Sequence, residues 1–343
     1  MGVERVQPKG LAAVVIGFTV ALGIVTTAIV SFRLWFRYWL RSTRREPRAW
    51  GVDDWLCGFG LLAFIAACGF TTAAAYYGLG THDSQLSAAQ KSLALELIFF
   101  FQLSEAAFTI LVKSSIAIFL LRIATQKRYR YPLWFVIIAT VIGCVVPGVV
   151  VITLCQPLSA QWDPSAGTCG DYTIIINLSY AVSVITVVTD WVCAILPCIL
   201  IRSLNILSHQ KIPLMITLSL GILASAASIG RMPYLQYYDT EREDRIWGSA
   251  NILLWCIVEG ALAFIAGSLP PLRKAPALLF GGGKTKNSQG TQSHMELEDQ
   301  SQSRSRNARV SRQPVEASGY DGDSQYSLLN EPTKVYTVEV KAV

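Results

Sequence analysis

Histidine is nearly absent from this 343-residue chain; the three present are His82, His209 and His294. They lie far apart in the sequence, so a histidine-based metal centre has no ligand set to build on. No serine stands in a G-x-S-x-G elbow and no H-E-x-x-H helix occurs, which removes the signatures of an α/β-hydrolase and a zinc protease. Charge is scarce as well. Only 15 % of residues are charged and 52 % are hydrophobic, where an ordinary soluble domain carries about 25 % charged residues. The last apolar stretch, Gly248 to Leu269, holds no lysine, so no Schiff base to retinal can form there. No cofactor and no metal is expected, and no enzyme.

What the chain does have is long apolar runs. Spanning the hydrocarbon core takes roughly 20 mainly apolar residues in a helix. Seven runs reach that length: Leu11–Phe32, Trp55–Tyr77, Ala94–Leu121, Pro132–Leu154, Tyr172–Ile201, Ile212–Leu235 and Gly248–Leu269. Lipid cannot satisfy backbone amides, so each run is expected to be a helix. The first run ends in arginines instead of a cleavage site and is about twice as long as a signal-peptide core. It is read as a retained span.

Positive charge alternates between the loops. Arg33, Arg37, Arg41, Arg44, Arg45 and Arg48 follow the first run, Arg122, Lys127, Arg128 and Arg130 the third, and Arg202 and Lys211 the fifth. Loops rich in Lys and Arg stay on the cytoplasmic side, so the N-terminus is expected outside and the C-terminus inside. Trp35, Trp39, Trp55 and Trp134 fall near the proposed inner boundary, where indole rings favour the headgroup level. The net charge of +6 is thereby a topology signal and implies no nucleic-acid partner. The expected organisation is a short extracellular N-terminus (1–9), a seven-helix membrane domain (10–273) and a disordered cytoplasmic tail (274–343), rich in Ser, Gln, Gly, Arg and Glu. Within the tail, "GGGKT" lacks the first glycine of a phosphate loop, and "YSLL" fits a tyrosine-based sorting signal.

Six of the eight cysteines lie inside apolar runs, where a small soft side chain packs. Cys155 and Cys169 bracket the fourth loop, which the charge rule places outside, where disulfides persist. A bridge between them is favoured over two unpaired thiols.

Charged side chains at membrane depth are costly and each is a candidate for function. Lys113 and Asp190 each lie about 27 Å below the outer ends of their runs at 1.5 Å per residue. An ion pair is expected, either a clamp between helices or part of a transport relay. Glu105 and Glu259 fall roughly 16 Å down, where the sequence shows no cation at the same depth. They are candidate ligand-binding residues lining a wet cavity, or neutral acids in an interhelical hydrogen bond.

With the runs placed, local motifs can be compared. "GVDDWL" opens the second run, "YGLGTHDSQLS" follows it, "KSSIAIFLLRI" closes the third, "CQP" with Trp162 and Cys169 marks the fourth loop, and "SLPPLR" closes the seventh. Together, in this order over residues 10–275, they resemble the fungal rhodopsin-like integral membrane protein family. That family includes receptor-like proteins, some with an extracellular CFEM domain, and membrane proteins encoded within mycotoxin clusters such as the satratoxin cluster. The resemblance implies a seven-helix protein with an outside N-terminus. Its motif positions here are Asp53, Asp54, Trp55, Gly80, His82, Lys113, Arg122, Cys155, Trp162, Cys169, Asp190, Arg231, Glu259 and Pro270, chiefly as fold determinants. Only nine residues precede the membrane domain, so no CFEM module is expected.

The resulting expectation is a receptor-like protein of a fungal plasma membrane, linked by analogy to a secondary-metabolite cluster. A small-molecule ligand would enter from the outer side near Glu105 and Glu259. The basic inner surface of Arg41, Arg44, Arg45, Arg122, Lys127, Arg128 and Arg130 would face a cytoplasmic signalling partner or anionic membrane lipid. The alternative is a metabolite transporter or proton-coupled carrier with the buried acids as relay, although no internal repeat relates the runs.

Overall fold

The computed structural model describes residues 5–43, 50–124, 126–202, 211–238 and 244–272. The expected tail at 274–343, with its "GGGKT" and "YSLL" stretches, and Arg44, Arg45 and Arg48 lie outside the described residues. The described helices are α1 (Leu11–Thr43), α2 (Val52–Tyr76), α3 (Ala88–Ile123), α4 (Lys127–Thr153), α5 (Thr173–Arg202), α6 (Lys211–Arg231) and α7 (Arg245–Leu272). All seven are long and apolar enough to cross a membrane. The chain is a multi-pass, all-α integral membrane protein.

Local chemistry explains where these helices begin. Ser87 caps α3 by accepting from the Gln90 N–H, and the Gln90 side chain accepts from the Ser87 N–H, so two otherwise unpaired amides are satisfied reciprocally. At the start of α2 the Asp54 carboxylate accepts from the Gly51 N–H at 3.2 Å, and Asp53 and Asp54 place negative charge on the positive end of the helix dipole.

Two of the boundaries that differ from the sequence expectation bear on buried charges. Helix α1 does not stop at Phe32 but continues to Thr43, because Arg33 and Arg37 are buried against the bundle and belong to the span, not to a solvated loop. Helix α6 ends at Arg231 and continues as a 3-10 helix through Met232–Tyr238. That change of pitch alters the depth of Arg231.

Large apolar side chains cover the outer surface of the helices, while several charged side chains are buried inside. Phe18, Ile24, Leu62, Ile138 and Met215 are exposed, as are the expected belt residues Trp35, Trp55 and Trp134. Arg33, Asp53, Asp54, Lys113, Arg231 and Glu259 are buried. The apolar core sits where α2, α3 and α7 meet. Phe64 packs edge-on against Phe108 with centroids 5.3 Å apart, and Phe264 lies 5.4 Å from Phe64. Gly260 permits this approach, since a Cβ there would stand 2.6 Å from the Phe108 ring.

The α4–α5 connection carries a two-residue antiparallel ladder, β1 (Cys155–Gln156) with β2 (Thr168–Cys169), and Cys155 is disulfide-bonded to Cys169. Trp162 in that loop packs on Phe99, with ring centroids 5.9 Å apart. The α2–α3 connection passes under the first turn of α1 at Gly80. Its φ of +88° and the Ala12 backbone nitrogen, 2.9 Å from where a Cβ would stand, both require glycine.

Candidate functional site

Helix α3 carries one charged residue on each of three levels, Glu105, Lys113 and Arg122, separated by roughly 12–14 Å along the axis at 1.5 Å per residue. Each meets partners from other helices.

The level farthest from the N-terminus of α1 joins α1, α2 and α3. Arg37 Nη1 donates to Asp54 Oδ1 at 2.6 Å and also to Asp53, while Arg122 donates to the other oxygen of Asp53. Arg33 Nη2 lies 3.5 Å from both carboxylates, and its Nη1 donates to the Gly267 carbonyl of α7 at 3.0 Å. Ser115 donates to the Asp53 carbonyl at 2.6 Å. Three of the basic residues expected on the inner surface or in the first loop are thus tied to two buried acids. Gly51 makes room for them, since a Cβ there would lie 2.2 Å from the Arg122 guanidinium. Breaking one partner of such a buried network costs about 3–5 kcal/mol, so the "DD" of the motif is read as a structural joint.

On the middle level Lys113 Nζ lies 2.9 Å from Asp190 Oδ1 and donates to Thr189 Oγ1 at 2.9 Å. The pair joins α3 to α5. Pro270, near the end of α7, lines the same small cavity as both residues.

The third level corrects the sequence expectation that Glu105 and Glu259 lack a cation. Arg231 Nη1 donates to Glu105 Oε1 at 3.3 Å and lies 3.9 Å from Glu259 Oε2. Its Nε donates to Ser183 Oγ at 3.3 Å, and Ser228 donates to Glu259 Oε2 at 2.7 Å. An apolar run ending at Leu235 leaves Arg231 only about 6 Å from its end at helical rise. The span continues to Tyr237 in 3-10 form, which rises about 2.0 Å per residue. Arg231 therefore sits more than 10 Å down by that rise, close to the level of the two glutamates.

These three side chains line a cavity of about 120 Å³ among α3, α4, α5, α6 and α7. Gln102, Thr109, Ser179 and Thr186 add polar groups, and Leu103, Pro147, Leu178 and Val182 form apolar walls. Val151 and Ile175 line it and also pack beneath the disulfide-bonded loop with Trp162 and Tyr172. That loop is joined to the cavity wall through Val151 and Ile175.

The remaining motif residues lie elsewhere. Trp55 faces outward and contacts Trp50 and Phe59. His82, with Gly80 nearby, forms a clasp that sequence reading missed. His82 Nδ1 lies 2.9 Å from Asp244 Oδ2, the Asp83 N–H donates to Asp244 Oδ1, and the Ile246 N–H donates to Asp83 Oδ1. The imidazole stacks on Trp247 at 5.8 Å with the planes 7° apart. The His82 hydrogen bond, then that of the Asp83 N–H, holds the Asp244 carboxyl below the usual carboxylate range. Among the described residues no group of three or more His, Cys, Asp or Glu side chains is arranged to hold a metal.

No curated protein and no solved structure matches this chain. The end of α1, the whole of α2–α7, the "GVDDWL" joint and the bridged fourth loop do fall within a known domain: the family model for the fungal rhodopsin domain matches residues 32–277, and the chain belongs to that family.

Proposed function

We propose that this protein is a receptor-like membrane protein whose ligand occupies the cavity at Glu105, Arg231 and Glu259. The observation that carries the reading is a cavity lined by three charged side chains inside an apolar bundle, bounded by five helices and with its wall packed against the bridged loop. Ligand sites between helices take this form, with mainly apolar walls and a few convergent polar groups. The ligand enters from the outer side at the plasma membrane. The opposite, arginine-rich end meets a cytoplasmic partner or anionic lipid. Neither retinal nor catalysis belongs to this reading. Association with a secondary-metabolite cluster rests on family resemblance, and the neighbouring genes test it.

A proton-coupled carrier is the second reading, favoured by one observation: charged levels recur along α3 at Glu105, Lys113 and Arg122. Proteoliposomes separate the two readings. A fluorescent label on a cysteine introduced at Lys127 is expected to respond to an active metabolite extract, without accumulation inside the vesicle. Accumulation driven by a pH gradient would establish the carrier instead. Glu259→Gln is expected to leave the thermal midpoint within a few degrees of wild type and to abolish the label response; a full response in both Glu259→Gln and Glu105→Gln returns the cluster to a structural role.

A further inference from the structure

Not all of the charged levels are neutral. Lys113 and Asp190 match one for one, whereas the cavity holds two carboxyls, Glu105 and Glu259, against the single guanidinium of Arg231. Arg231 is also divided among them. Its Nη1 reaches Glu105 at 3.3 Å and Glu259 at 3.9 Å, it donates at 3.3 Å to Cys256 Sγ, and its Nε is engaged with Ser183. Neither acid receives the bidentate pairing that satisfies a carboxylate best. Glu259 has a second donor in Ser228, and Glu105 one in the Cys256 thiol. Glu105 is the more exposed of the two, 24 % against 11 %.

We propose that the cavity takes a compact organic cation, an ammonium group on a short apolar body, with Glu105 as its counter-charge. The proposal rests on the cavity being a ligand site and adds the class of ligand. An anion would have to take Arg231 from the two acids and leave both unpaired at membrane depth, which is costly. A neutral ligand leaves the surplus acid to be neutralised by a proton instead. An ammonium group supplies the missing positive charge, and Leu103, Pro147, Leu178 and Val182 supply the surface for its alkyl part. Size limits the body. The cavity is about 120 Å³, below the roughly 300–1,000 Å³ of sites for drug-sized ligands.

A proton competes with the ammonium group for the same carboxylate. The other titratable groups around it are Arg231 on α6, Cys256 and Glu259 on α7 and Cys144 on α4; α5 presents Ser179 and Thr186. Affinity for the cation therefore falls as the pH is lowered, approaching about tenfold per pH unit if one proton is exchanged.

The test uses the full chain in lipid nanodiscs, with thermal unfolding as the readout and n-butylammonium chloride as the probe. Butan-1-ol, sodium butyrate and sodium chloride are the neutral, anionic and simple-salt comparisons. Butylammonium is expected to raise the midpoint more at pH 8 than at pH 5, and the three comparisons are not. Glu105→Gln is expected to remove that shift. Gly148→Leu, which grows a side chain where a Cβ meets nothing within 4 Å at the cavity wall, is expected to remove it without touching any charged group. An equal shift from sodium chloride, or one that persists in Glu105→Gln, overturns the proposal. A shift from butanol or butyrate that Gly148→Leu abolishes refutes the cation and leaves the ligand cavity standing. No shift from any of the four compounds overturns both.

Discussion

Lys113 and Asp190 illustrate how a buried pair is held. Each ion taken out of water loses several kcal/mol of hydration, which a direct contact at 2.9 Å and added hydrogen bonds must offset. Thr189 Oγ1 supplies one of those hydrogen bonds to Lys113. Lys113→Ala leaves Asp190 unpaired and is expected to cost about 3–5 kcal/mol, read as lost folded yield and a lower thermal midpoint. The double variant Lys113→Asp with Asp190→Lys restores the pairing and is expected to recover part of that loss. If it does no better than either single variant, the two residues are not energetic partners. Equal counts of helical rise place these two residues at one level, so their meeting was legible from position alone. Arg231 was not, because its depth depends on a switch to 3-10 pitch that the apolar pattern does not reveal. The arginines after the first run were legible as charge and misread as location. Arg33 and Arg37 serve Asp53 and Asp54 within the span, and only a three-dimensional contact separates that role from a loop signal.

Apolar length was enough to find all seven helices, since lipid imposes a minimum span and forbids unpaired backbone. The connections were harder to read. The clasp between the α2–α3 connection and the start of α7 joins residues distant in sequence through His82, Asp83 and Asp244. Nothing in the local composition of either segment points to the other. The clasp has a definite pH signature. The Asp244 carboxyl is held below its ordinary value of 3.8 by hydrogen bonds from His82 and then from the Asp83 N–H. A group whose folded value is depressed contributes stability present above the unfolded value and lost as the pH falls through the folded one. The clasp is therefore expected to loosen below about pH 4. Hydrogen exchange at the Asp83 and Ile246 amides should accelerate there, beyond the change in intrinsic rate, and Asp244→Asn should remove that acceleration. Amides that exchange alike in the variant and in wild type across this range would show that Asp244 does not hold the connection.

Orientation belongs to the molecule as a whole, and the fold makes a narrower argument for it than the arginine count did. Arg33 and Arg37 are engaged with Asp53 and Asp54, and Arg122 with Asp53, so these three are partly neutralised where they stand. Arg41, Lys127, Arg128 and Arg130 remain at the same end of the bundle, in the last turn of α1 and the first turn of α4. Short loops carrying such residues stay on the cytoplasmic side. The other end bears the disulfide, which persists in an oxidising compartment, and the His82–Asp244 clasp. Both signals support the expected direction, an outside N-terminus. Ser84 and Ser42 are exposed at opposite ends, so a cysteine introduced at either reports on its own side. A membrane-impermeant maleimide is expected to label Ser84→Cys in intact cells, and to label Ser42→Cys only after the membrane is permeabilised. The described free cysteines, which are buried or half-buried, set the background, measured on the unsubstituted chain. Labelling of Ser42→Cys in intact cells with Ser84→Cys protected would reverse the orientation and move the basic end to the outer face.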